Sequence, residues 1–246
     1  MIDAWIAGAG LWTPGFADLA AWASGVRDSA ALEPAATLLP SRLARRASLL
    51  TRMSVEALEQ AAAGAALDQV ATVFVTAYGE SQTLGALLDQ LYAEGVLSPA
   101  RFSSSVHSAA AGIFGIAAKN KAFSTTVAAG FEGVAMGLLE SVALLEQRGG
   151  EVVAVFADEE PLAPFARAGL SPLATALRLV ADRPAAPLGR LCRLRPGHGL
   201  RRPALPATFS TNPAALSLPL LEAVHQRRPG TVALSSGWQV DLEATP

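Results

Sequence analysis

Apolar positions in the first two-thirds of the chain switch between two periods. Residues 70–77 (VATVFVTA) and 151–157 (EVVAVFA) are short, β-branched apolar runs of the kind that form strands buried on both faces. Between them the period lengthens. Leu43, Leu49, Leu50, Met53, Ala57 and Leu58 recur at near-helical spacing, predicting a helix over 41–66. Further helices are predicted over 82–92, over the small-residue stretch 106–118, and over 133–147, where Arg148-Gly149-Gly150 supplies a stop. Trp5-Ile6-Ala7 reads as a strand running into a turn at 8–15, and 122–126 as another strand. Strands alternating with helices predict an α/β layer architecture.

Beyond residue 160 the pattern weakens. Most of the 16 prolines lie there, the helix signals shorten to 174–180 and 216–225, and seven arginines between 178 and 202 face one acid, Asp182. This predicts a regular α/β body over residues 1–160 and an irregular Pro/Arg-rich extension over 161–246 packed on it.

Composition narrows the class. With 51% hydrophobic and 16% charged residues, the chain is neither disordered nor fibrous. A formal charge of −2 gives no reason to expect nucleic acid. The most apolar long window, 122–139, carries Glu132 and three glycines, so it is expected to be core and not a membrane span. Met1-Ile2-Asp3 has no basic region ahead of an apolar stretch, so no secretory leader and a cytoplasmic setting are expected. A mean hydropathy of +0.35 points to a buried interface.

Candidate chemistry is sparse. Gly8-Ala9-Gly10 lacks the third glycine of a dinucleotide loop, Thr13 standing in its place, and Gly79-Glu80-Ser81-Gln82-Thr83 lacks the second glycine of a hydrolase elbow. Cys192 lies among arginines but in a Pro-rich context, and is expected at the surface. His107, His198 and His225 have no metal spacing. No cofactor and no metal are expected. The 178–202 arginines suit either an acidic partner surface or a solvated tail.

Residues 122–130 (AFSTTVAAG), running into an apolar helix, resemble the nucleophile turn of the β-ketoacyl synthases, a thiolase-like family. Residues 5–15 (WIAGAGLWTPG) resemble its opening strand and Thr-Pro turn, 45–67 its first long helix, Ala110-Ala111-Gly112 the segment before the nucleophile strand, and 151–158 the strand that follows. The resemblance spans roughly residues 2–160 and implies the N-terminal half of a synthase fold.

Its departures define the functional expectation. Val127 stands where the family has its acyl-accepting cysteine, and an isopropyl group accepts no acyl chain; the later histidine motifs have no counterpart. The resemblance therefore implies a non-catalytic chain-length-factor subunit of the aryl polyene (xanthomonadin-type) kind, with no catalytic residue of its own. Such a subunit forms a heterodimer with a full-length β-ketoacyl synthase and meets acyl carrier protein indirectly. Phe102, Val106, His107, Phe123, Ser124, Thr125 and Thr126 are the implied tunnel and interface residues, although Phe102, Val106 and Phe123 equally suit the chain's own core. Arg190, Arg193, Arg195, Arg201 and Arg202 are candidates for carrier-protein docking on charge alone. Two other readings stay open: a homodimeric acyl-binding or structural protein, and a hydrolase or transferase using Ser124, Thr125 or Thr126 with His107.

Overall fold

The computed structural model describes residues 3–163, 165–197 and 201–244. Strand β1 (Asp3–Trp12) leads through α1 (Leu19–Ser24) and α2 (Ser41–Ala44) to the long helix α3 (Leu49–Ala61). Then come β2 (Ala71–Val75), α4 (Ser81–Glu94), α5 (Pro99–Phe102), α6 (Ala109–Ala117) and β3 (Ser124–Val127). A 3-10 turn at Gly130–Glu132 opens α7 (Gly133–Arg148), followed by β4 (Glu151–Asp158), β5 (Leu173–Val180) and β6 (Gly189–Pro196). A 3-10 stretch at Pro213–Ser217 runs into α8 (Leu218–His225), and β7 (Gly230–Ala233) and β8 (Trp238–Glu243) close the chain.

All eight strands form one sheet in the order β3-β2-β4-β5-β1-β6-β8-β7. The β2–β3 and β2–β4 pairs are parallel; β5 runs antiparallel to both β4 and β1. β4 is buried on both faces, with Val152, Ala154 and Phe156 in one core and Val153, Val155 and Ala157 in the other. Helices α3 and α6 cover the second face, packing Met53, Leu58 and Phe114 against Phe74. Helix α7, the Pro213–Ser217 stretch and α8 cover the first, so part of the segment after 160 forms the lid over α7.

Four expectations change. The helix expected over 174–180 is strand β5: an apolar run this short has no decisive period, and its place between β4 and β1 supplies ladder partners on both sides. The turn expected over 8–15 is confined to Thr13–Phe16, and Gly8–Gly10 continue strand β1. A Cβ at Gly8 or Gly10 would run into the backbone carbonyls of Ala61 and Ala57, so these glycines let α3 lie against β1. The helix over 41–66 is two helices, divided where Ser48 caps α3 by accepting from the Thr51 amide at 2.9 Å. The segment after 160, expected to be irregular, also contributes four strands. By contrast, the strands expected near 70–77, 122–126 and 151–157 and the helix over 133–147 lie where the periodicity put them.

Candidate functional site

Strand β3 is one of the two edge strands of the sheet. It hangs on β2 through a parallel ladder in which Thr72 pairs with Ser124 and Val75 with Val127. Among the described residues nothing pairs with its outer edge. Asn120 sets its entry: its amide donates to the carbonyls of Leu67 (2.6 Å) and Val70 (2.8 Å), and its oxygen accepts from the Ala122 amide (2.7 Å). Sequence reasoning passed over Asn120. The available signal was Lys119-Asn120 directly after a helical run, where Lys119 takes a left-handed φ of 53° to end α6.

Val127 is the last residue of β3, three residues before the 3-10 turn that opens α7, and packs half-buried against the core under α7. Strand, turn and helix follow one another directly here, with a hydrocarbon side chain at the end of the strand. The C-terminal segment holds the turn in place. Ser235 donates to Glu132, and Arg202 lies over the Phe131 ring, 3.7 Å from its centroid.

Beside β3, a cleft of about 770 Å³ is lined by His107, by Ser108, Gly112 and Ile116 near and along α6, and by Ser124, Thr125 and Thr126. His107 Nε2 donates to the Thr76 carbonyl (3.1 Å), and the ring lies over Gly79, whose φ of +56° and lack of a side chain make the room. Asp158 organises that turn. Its Oδ1 accepts from Thr76 Oγ1 and the Ala77 amide, each at 2.8 Å, and from the Tyr78 amide at 3.2 Å. Burial pushes Asp158 up to about 7 against these hydrogen bonds. Next to it, burial and then the Glu80 charge push Glu159 to about 7 as well. Glu80 itself accepts from Ser48, Thr51 and Thr83.

The hydrolase reading loses its geometry here. Thr72 Oγ1 donates to Ser124 Oγ (2.8 Å), and among the described residues no hydrogen bond joins His107 to Ser124, Thr125 or Thr126. The structure does bring all four to one cleft. Phe102, Val106 and Phe123, left between core and interface by the sequence, are all exposed, Phe102 at 55%. Phe123 lies under the Arg148 guanidinium, 4.9 Å from the ring centroid.

The arginines after 178 are dispersed and mostly engaged. Arg190 pairs with Asp3 (2.6 Å) and Glu243 (3.5 Å), while Arg193 and Arg195 share Asp241 at 2.6 and 2.8 Å. Arg195, then burial opposing it, then Thr231 set the Asp241 carboxyl, with a net fall to about 2. Arg202 covers Phe131, and Arg201 is exposed. Cys192, expected at the surface, is buried in β6, and burial, then the Glu243 and Asp3 charges, push its thiol up to about 11. His198 lies outside the described residues. Among the described residues no group of three or more His, Cys, Asp or Glu could hold a metal, and no helix is long and apolar enough to cross a membrane.

A five-strand block β3-β2-β4-β5-β1 with one reversed strand, layered between helices, is half of a thiolase-like fold. The family model for the beta-ketoacyl synthase N-terminal domain matches residues 20–195, and the chain belongs to that family. No curated protein matches the sequence. Among solved structures, the complex of the ketosynthase ApeO with its chain length factor ApeC from Xenorhabdus doucetiae contains a chain with a TM-score of 0.74 at 21% identity. The match covers 99% of this chain and 100% of that one. A chain of the ishigamide ketosynthase/chain length factor gives 0.73 at 15% identity, with both chains covered completely. A chain of AntDE:AntF, a type II polyketide acyl-carrier protein in complex with its ketosynthase, gives 0.74 at 12% identity, covering 99% of each chain. At these identities the likeness is one of fold.

Proposed function

We propose that this chain is a non-catalytic chain-length-factor subunit. It pairs with a full β-ketoacyl synthase and shapes the synthase's acyl tunnel in polyene, polyketide or fatty-acid-type biosynthesis in the cytoplasm. One observation carries the reading: the open edge strand of the sheet ends in Val127 just before the turn into α7, the place where this reading sets the family's nucleophile. An unpaired edge with an adjoining cleft favours a partner strand, because every ladder group left there otherwise faces water. The distribution of exposed apolar side chains agrees. Of the 14 large ones exposed among the described residues, ten lie between Leu84 and Phe123, the stretch that flanks β3. Two of the solved structures similar in fold are ketosynthase–chain length factor assemblies and another is an acyl-carrier protein in complex with its ketosynthase, which supports a synthase partner and indirect contact with a carrier protein.

In this reading the synthase supplies the thiolate and the bases, and the chain supplies a wall. Phe102 ends α5, and Val106 and Phe123 precede α6 and β3; in this reading all three face the partner, and their size limits the acyl chain. The test is product length. The synthase with this chain should give a defined length, and Phe102→Ala should lengthen it. Identical products with and without the chain would defeat the reading.

A further inference from the structure

Four residues of strand edge are too few to hold an obligate pair, which buries about 2,000 Å² or more with some 20–30 residues a side. The structure shows where further area is available. The cleft beside β3 shares Ser108, Gly112 and Ile116 with a second cleft of about 260 Å³ along α6. That one shares Arg46 and Ser104 with a third, of about 580 Å³, which reaches α4 through Gln82, Thr83 and Ala86. The three form one belt from the sheet edge to α4.

Helix α4 is the least anchored long helix of the fold. Of its 14 residues only Gly85 and Leu87 are buried. Leu84, Leu88, Leu91 and Tyr92 recur at helical spacing and are exposed, Tyr92 at 88%, and Val96 and Leu97 continue the patch. A 14-residue helix is marginal on its own, and this one leaves its apolar side in water. The third cleft is lined by three cations, Arg45, Arg46 and Arg101, against one acid, the buried Glu159. Arg46 and Arg101 donate only to a carbonyl and a side-chain amide oxygen, and none of the three has an ion pair among the described residues.

We infer that the synthase contact extends from β3 along α6 and α5 onto α4, whose apolar side closes against the synthase subunit. Arg45, Arg46 and Arg101 then meet carboxylates of that subunit. The inference rests on the reading above and deepens it. A lipid surface fits less well, because the charged residues of α4 itself are the acids Asp89 and Glu94, whereas helices that lie on anionic bilayers carry Lys and Arg.

The test uses the full chain and its co-expressed synthase. Leu88→Asp and Tyr92→Asp replace exposed side chains, so the isolated variants should melt like the parent, whereas the Kd of the pair should rise about tenfold or more for each. Ala143→Asp, exposed on the outer side of α7, should leave it unchanged. Amides of α4 should exchange at least about tenfold more slowly in the pair than in the free chain. If the pair assembles with a Kd unchanged by Leu88→Asp and Tyr92→Asp, and α4 exchange is unaltered, this inference is overturned and the chain-length-factor reading stands. It is also overturned if those variants instead abolish a self-dimer or binding to phosphatidylglycerol vesicles while the pair is unaffected. If the wild-type chain forms no pair, the underlying reading fails, and the extended contact fails with it.

Discussion

Gly137 offers the sharpest check on how α7 is seated. It lies one turn into the helix, over the end of β2. A Cβ there would overlap Val75 Cγ2 and come within 2.9 Å of Phe156 Cε1. Neither neighbour yields easily: Val75 is β-branched and held in the ladder opposite Val127, and Phe156 is fully buried. Two effects compete in Gly137→Ala. Removing a helical glycine stabilises by up to about 1 kcal/mol, and overpacking a tight contact costs about 1–3 kcal/mol. Overpacking should win, leaving the variant about 1–2 kcal/mol less stable. Gly137→Leu should lose more. Gly112 in α6 is the control, because nothing lies within 4 Å of its added Cβ, and Gly112→Ala should gain up to about 1 kcal/mol. Urea titrations of the isolated chain measure all three, with constant m-values confirming that the folded state is preserved. A Gly137→Ala protein as stable as the parent would show that α7 does not sit on β2 and β4 as described.

Further outcomes follow from the buried acids and Val127. Glu159 rises from its ordinary 4.5 to about 7, so the folded chain holds its proton longer than the unfolded chain. Stability should therefore fall as pH rises from about 4.5 to 7, Glu159 contributing up to about 3 kcal/mol at ~1.4 kcal/mol per pH unit beside the slope from Asp158, and Glu159→Gln should make denaturation curves less pH-dependent without removing the Asp158 share. Asp241 behaves oppositely. Its depressed carboxyl contributes stability above its ordinary 3.8 that is lost as pH falls towards 2, and Arg195→Ala should raise its midpoint in an NMR titration. The isolated chain should neither take up an acyl group nor condense, and Val127→Cys should not make it do so, because a thiol without its bases lacks most of the machinery; intact-protein mass after incubation with acyl-carrier protein reads this out.

Legibility in the sequence followed local pattern. β2, β4 and α7 were readable because each combines a strong period with a clear end, such as Arg148-Gly149-Gly150. β5 was not readable, because LATALRLV owes its strand form to neighbours 20 and 170 residues away. The two glycines of β1 read as a turn because a sequence does not show the α3 backbone pressed against them. At the candidate site, the strand, turn and helix around Val127 were visible through their order along the chain. Asp158, which shapes the Thr76–Gly79 turn beneath His107, was not, because its partners lie about 80 residues away. Charge counting offered the arginines after residue 178 as either a docking surface or a solvated tail. In space Arg190, Arg193 and Arg195 balance Asp3, Glu243 and Asp241, and the open arginines surround the cleft at α4.

Native mass spectrometry of the chain co-expressed with a full β-ketoacyl synthase tests the central claim most directly. The account predicts one 25.3-kDa chain bound to one synthase chain, a complex that persists at micromolar concentration and is lost when Ala122→Asp places a carboxylate at the entry to β3. Separate proteins, or this chain paired only with itself, would contradict it.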